Sequence, residues 1–340
     1  MRISKLYPLR FEPIFQRYVW GGRRLGEVFN KAIGGAAAAE SWEVVDHGDA
    51  QSVVREGDFS GWTLSQLIAK FGNEILGSEL FAAITAEGLP DTLRARFPLL
   101  LKFLDANRNL SVQVHPDDQM GASLVPPDLG KTEAWYVMHA EPEAKIFAGL
   151  KAGVSRNEFR SAIESGDVES MLHQFTPAKG DCVFIPAGTI HAIGAGLLIA
   201  EIQQASNTTF RVYDWGRVGV DGAPRPLHIE RSIEATDFSR GPVVPQMPFS
   251  IAGTPWVRLV TCEKFEMNRA FMTEPFEVGG DGRCRILAVT KGSLQLSGDP
   301  CAQPLRLADT ALLPACLGST AVEPGVEGVE LLEISIPSSR

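Results

Sequence analysis

Apolar and polar positions alternate along most of this chain, and that period predicts strands far more often than helices. Leu99-Leu100-Leu101-Lys102-Phe103-Leu104, Leu110 to His115 and Ala134 to His139 make the stretch from Phe97 to Leu150 β-rich, and strands resume from Cys182 to Val212. Two regions change to a helical period. Thr63 can cap a helix carrying Leu64, Leu67, Ile68 and Phe71, with Gly72 expected to end it and a second helical piece expected near Glu79 to Ala86. Residues 155–172 read as helix, because Ser155 followed by Glu158 is a capping-box pattern. The first sixty residues read as short strands and turns, including Ser41-Trp42-Glu43-Val44-Val45, with breakers at Gly21-Gly22 and Gly34-Gly35.

Residues 217–250, with five prolines, read as a linker, and beyond them the pattern is nearly all β to Pro337. This last part echoes an earlier one. Asp181-Cys182-Val183-Phe184-Ile185-Pro186 and Asp309-Thr310-Ala311-Leu312-Leu313-Pro314 share Asp-x4-Pro, preceded by Gly180 and Ala308. All six histidines lie at or before His228, so the second copy lacks imidazoles. A duplicated β-barrel with one degenerate copy explains both facts, so a mainly β protein of two barrels is expected. Residues 1–240 would form the catalytic domain, with helical insertions at about 63–90 and 155–172, and residues 241–340 the C-terminal domain.

Composition narrows the function classes. With 340 residues, 44% hydrophobic and 21% charged, the chain has the make-up of an ordinary globular protein with an ample core. A net charge of −9 argues against a nucleic-acid partner, which needs a basic face. The five cysteines have no C-x-x-C spacing, so neither a disulfide framework nor a thiolate zinc site is suggested. Met1 to Pro8 lacks an apolar leader core, and no stretch reaches the length of a membrane span. A soluble, cytoplasmic protein without a membrane partner is expected, and nothing in the sequence points to a protein partner.

Candidate chemistry centres on two runs. In Ser111-Val112-Gln113-Val114-His115-Pro116-Asp117-Asp118, the alternation puts Gln113 and His115 on one strand face. Gly180 to His191 reads as a strand entering a Pro/Gly turn that delivers His191 onto the next strand. With Glu133 from Gly130-Lys131-Thr132-Glu133-Ala134-Trp135, one barrel mouth can hold two imidazoles, a carboxylate and an amide. Singly, each residue has an ordinary explanation as a core or solvated side chain; together they suit a metal. This donor set suits Zn²⁺, one per chain, and by ligand type also Fe²⁺, Mn²⁺, Co²⁺ or Ni²⁺. Lys102 stands out because a cation inside an apolar strand is costly unless it serves a pocket.

Gly-x5-Pro-x-Gly-x2-His, from Gly180 to His191, matches the second motif of the cupin (jelly-roll) β-barrels, and Gln-x-His followed by Glu133 resembles a variant of the first. Other segments extend the likeness. They are Trp20-Gly21-Gly22, Glu40-Ser41-Trp42-Glu43, Leu101 to Ala106, Glu201-Ile202-Gln203-Gln204 and Arg211-Val212-Tyr213-Asp214-Trp215. In this order they resemble type I mannose-6-phosphate isomerase (phosphomannose isomerase), in its short bacterial form, over about residues 8–240. The resemblance implies that Gln113, His115, Glu133 and His191 bind zinc. It also implies that Lys102, Ser111, Lys131, Glu201 and Arg211 surround the sugar phosphate, with Glu40 and Trp20 lining the pocket. Gly194 departs from the general cupin pattern, which ends in Asn at a position that is not a ligand.

The activity so implied is the interconversion of mannose 6-phosphate and fructose 6-phosphate through a cis-enediol, which needs a base at carbon and an electrophile at oxygen. Glu201 is the candidate base, with Arg211 and Lys131 as the other catalytic groups. Arg211 lies at an even offset from Glu201, so an unbroken strand would put both on one face, although Asn207-Thr208-Thr209 can interrupt it. Two alternatives share the motifs: a non-catalytic sugar-binding or regulatory cupin, and a metal-dependent cupin dioxygenase. Gln113 and the Lys/Arg set disfavour the dioxygenase.

Overall fold

The computed structural model describes residues 5–219 and 222–337. The first four residues of the expected leader-free N-terminus, and residues 220–221 of the expected linker, lie outside the described residues. The chain is mainly β, as the alternation predicts, and it divides into two compact units. One consists of Phe15–Trp42 and Leu100–Gln246, and the other takes up the rest.

In the first unit two antiparallel sheets enclose one apolar layer. One sheet has the strand order Ile14–Gln16, Glu40–Val44, Leu99–Ala106, Leu197–Gln204, Glu133–Ala140, Cys182–Ile185. The other has the order Phe210–Tyr213, Val112–Val114, His191–Ile193, Ile146–Leu150, Leu172–Phe175. Alternation sorts each strand between two layers. Leu104, Ala106, Trp135, Val137, Ile185 and Ile199 meet Ile146, Ala148 and Ile193 between the sheets. Val112, Val114, Phe147, Ala192 and Val212 point the other way, where Phe159 and Val168 cover them. Phe159 belongs to the helix Arg156–Ser165, whose Ser155–Glu158 capping box forms as its sequence predicts. Burial on both sides is what keeps this short-stranded sheet in register.

The second unit contains an eight-stranded sheet over its own apolar cluster, built on the long paired strands Arg285–Leu296 and Ser319–Ser335. Both echo segments are strands, Cys182–Ile185 and Thr310–Leu313. Each follows a left-handed residue, Gly180 at φ 93 and Ala308 at φ 63.

Three expectations need correction. Gly72 does not end its helix. The element runs Leu64–Leu76 with a kink at Phe71, and Gly77 at φ 86 caps it. Gly72 instead makes room for Phe81, whose ring would lie 2.1 Å from a Cβ there. These helices also group with the C-terminal strands and not with residues 100–246. The reason is close packing: a Cβ on Gly77 would stand 2.5 Å from the Gly282 carbonyl. Residues 217–250 are also more than a linker. They contain the helix Ile229–Ala235, and backbone bonds tie Val243 to Ala148 (3.0 Å) and Gln246 to Cys182 (2.7 Å). Proline content marked the absence of regular hydrogen-bonded ladders, not the absence of packing.

The Trp20-Gly21-Gly22 turn has a steric cause. A Cβ on Gly21 would lie 2.5 Å from the Ala39 nitrogen, and one on Gly22 would lie 2.5 Å from Asp105 Oδ2. That carboxylate accepts from the Arg24 backbone N–H at 2.7 Å, which pins the turn to the strand carrying Lys102. Gly21→Ala is therefore expected to cost about 1–3 kcal/mol of overpacking, read as a lower urea midpoint with an unchanged slope.

Candidate active site

Strand pairing assembles the site from both sheets of the first unit. Gln113 has His191 directly opposite on one neighbouring strand and Arg211 opposite on the other. Directly opposed residues share a face, so the three stand in a row. In the facing sheet Gln203 pairs with Glu133 and Glu201 with Trp135, which puts all four on the inner face. Lys102 lies two residues before Leu104, itself in the inner apolar layer. The result is a cavity of about 280 Å³ lined by every residue singled out from sequence except His115, whose Nε2 lies 3.5 Å from the Gln113 amide.

His115, Glu133 and His191 are buried, and their donor atoms lie within 4.8 Å of one another. His191 Nε2 is 3.3 Å from Glu133 Oε1, and His115 Nε2 is 3.5 Å from Glu133 Oε2. Each imidazole has its Nδ1 2.9 Å from a backbone carbonyl, that of Thr208 for His115 and that of Thr189 for His191. Donation from Nδ1–H leaves both Nε2 atoms as acceptors beside the carboxylate, that of His115 accepting from Lys131 Nζ at 2.8 Å, and a fixed Nδ1–H is what orients histidine for a metal. Burial, reinforced by the Lys131 charge, pushes His115 well below the ordinary imidazole range and His191 down to about 4. Both rings are thus in the neutral, ligating form. The Gln113 amide lies 3.3 Å from His191 Nε2 and 3.5 Å from His115 Nε2, and a half-turn of the amide would present its oxygen instead. Two imidazoles, a carboxylate and an amide oxygen fit a divalent ion of the zinc type.

Beside this cluster the charges alternate. Lys131 Nζ donates to Glu133 Oε2 at 2.5 Å and sits 3.8 Å from Glu201 Oε1. Lys102 Nζ is 3.1 Å from Glu201 Oε1 and 3.4 Å from Glu40 Oε2, which also accepts the Trp42 indole N–H at 2.5 Å. Burial lowers the Lys102 pKa, but the carboxylates of Glu201, Glu40 and Glu133 outweigh it and hold the group above the ordinary lysine value. For Glu201, burial and then the Glu133 charge raise the pKa against the pull of the two lysines. Trp20, buried, closes the apolar side, with Tyr18 tilted against it at 5.7 Å between centroids.

Arg211 and Ser111 stand at the same cavity, joined by an Nε–H to Oγ bond of 3.2 Å. Arg211 does not share a sheet face with Glu201. The Glu201 strand ends at Gln204, and Arg211 belongs to Phe210–Tyr213 in the facing sheet. The intervening loop carries Thr208, whose carbonyl holds His115, so the interruption is itself part of the site. Sequence reading missed Tyr18, Asn207, Thr209 and Arg225, which also line the cavity. Arg225 carried a usable signal, since Pro224 and Pro226 on either side of a cation mark a rigid turn, but the proline count had placed it in a linker.

Comparison with known proteins places this arrangement. Residues 9–149 match the sequence profile of the catalytic domain of type I phosphomannose isomerase. The mannose-6-phosphate isomerase ManA of Bacillus subtilis (strain 168) is 32% identical over 320 residues, 93% of this chain and 96% of that protein. The probable mannose-6-phosphate isomerase GmuF of the same organism is 41% identical over 228 residues, 67% of this chain and 68% of that one. The crystal structure of the mannose 6-phosphate isomerase from Bacillus subtilis superimposes with a TM-score of 0.83 at 30% identity, covering 97% of this chain and 99% of that chain. This chain belongs to the type I phosphomannose isomerase family.

Proposed function

We propose that this protein interconverts D-mannose 6-phosphate and D-fructose 6-phosphate with one Zn²⁺ bound by Gln113, His115, Glu133 and His191. The observation that carries this reading is a single cavity that joins Gln113, Glu133 and His191, with His115 against them, to a buried Lys/Glu set and a half-buried arginine. A divalent ion bound there supplies Lewis-acid polarisation and a fixed point for sugar oxygens.

The chain's own side chains account for the proton movements. Glu201 is the base that carries a proton between C1 and C2: burial raises its basicity, while Lys102 at 3.1 Å opposes its protonation. The Lys131 ammonium holds the sugar oxygens where negative charge develops in the enediol. Arg211 and Ser111 take the phosphate end, because a guanidinium can grip two phosphate oxygens at once. Trp20 and Trp135 exclude water from the reacting carbons. Glu40 orients Lys102 and caps the row of alternating charges. Five free cysteines suit a reducing, cytoplasmic setting.

The direct test is a coupled assay that follows fructose 6-phosphate formed from mannose 6-phosphate; a metal-loaded protein with no turnover would refute the reading. Treatment with a chelator is expected to abolish turnover and Zn²⁺ to restore it, with metal content followed in parallel. Retained activity in protein shown to be metal-free would exclude the metal's part. Glu201→Gln is expected to lower kcat by about 10²- to 10⁴-fold while metal content stays at the wild-type level. A near-normal kcat would remove Glu201 from the base role.

A further inference from the structure

The cations of this cavity fall into two groups with different electrostatic states. Lys102 and Lys131 lie among Glu40, Glu133 and Glu201, within 4 Å of two carboxylates each, and are locally neutralised. In the other group stand Arg211, Arg217 and Arg225, of which Arg217 and Arg225 share the carboxylate of Asp214. Asp214 takes the Arg225 fork through Nε at 2.7 Å and Nη2 at 2.5 Å, and Arg217 Nε at 2.9 Å. Among the described residues, Arg211 has no carboxylate partner: its Nε donates to Ser111 Oγ and its Nη1 to the Pro226 carbonyl at 2.9 Å. Two of these three guanidinium groups, Arg211 and Arg225, line the cavity. Among the described residues, these guanidinium charges outnumber the one Asp214 carboxylate beside them, so positive charge is in excess at this end of the cavity.

We infer that Arg225, clamped by Asp214, is a second phosphate anchor of this cavity and sets its preference for phosphorylated over free hexoses. The inference rests on the hexose 6-phosphate reading above. Asp214 is a positioning residue: by occupying Nε and Nη2 it fixes the guanidinium plane and leaves Nη1 for the ligand. The Pro226 carbonyl, one residue on, holds Arg211, so the turn at 224–226 positions both anchors together. Crowding supports the same picture, because burial, then the neighbouring Arg225 charge, lowers the Arg211 pKa, a repulsion that an anion would relieve. Lys102 and Lys131 are correspondingly left for the sugar oxygens, since a phosphate beside them would have to displace carboxylates already in contact.

The test compares wild type with Arg225→Met, Arg225→Lys and Asp214→Asn. It uses steady-state kinetics with mannose 6-phosphate and calorimetric titration with inorganic phosphate as the probe. Arg225→Met is expected to raise KM and weaken phosphate binding on the order of 10- to 100-fold, with KM changing far more than kcat. Arg225→Lys, which keeps the charge and loses the fork, should fall between. Asp214→Asn should weaken phosphate binding less than Arg225→Met while leaving metal content unchanged. If Arg225→Met fails to fold, Arg225→Lys and Asp214→Asn carry the comparison alone. Phosphate affinity and KM within twofold of wild type in a folded Arg225 variant would overturn the proposal. Phosphate binding does not depend on turnover. A wild type that fails to isomerise yet binds phosphate through Arg225 would sink the isomerase reading and leave the anchor standing.

Discussion

Charge buried inside a β-sandwich is tolerable only when it is paired, and the first unit is organised around that constraint. Glu133, Glu201, Glu40, Lys102 and Lys131 are all nearly inaccessible. Lys102 contacts Glu40 and Glu201, both distant in sequence, and Lys131 adds the distant Glu201 to its near neighbour Glu133. No one of the five could be buried alone without a cost of several kcal/mol. The sheets therefore have to bring them together, and once together they hold one another's orientation. A site of this kind is preorganised: little reorganisation remains for the moment when charge shifts on a substrate.

The surrounding fold supplies what the charges cannot. Outer-layer packing by Phe159 and its neighbours fixes the register of the sheet carrying Gln113, His191 and Arg211, and a slip of one residue would send all three to the wrong face. The inner layer ends in Trp135, whose ring lies 5.4 Å from that of His191. Backbone carbonyls of Thr208 and Thr189 set both imidazoles. The metal cluster thus depends on loops as much as on strands, although only the strands carry an obvious sequence signature.

Much of the site was legible because its signals are local. Gln113 and His115 alternate on one strand, the Pro186/Gly188 turn places His191, and a lysine interrupting an apolar strand at Lys102 signals a pocket. Other features were not legible. Arg225 sits between prolines in a segment with few ladder bonds, where composition suggests a linker. Gly72 looks like a helix end until Phe81 is seen to need its space. The grouping of the 63–90 helices with the C-terminal strands depends on close backbone approaches, such as Gly77 to Gly282, that no periodicity encodes.

The amino-acid sequence by itself determined the β character, the capped helix at Arg156–Ser165 and the identity of the metal-type donors, because alternation, capping and turn chemistry act over a few residues. Only the tertiary structure decided that Glu201 and Arg211 face each other from different sheets. It also decided that Lys102 and Lys131 are neutralised while, among the described residues, guanidinium groups outnumber carboxylates at the Arg211–Arg225 end. Those outcomes are sums over groups far apart in the chain. Coulomb interaction and burial depend on distance in space, which the order of residues does not specify.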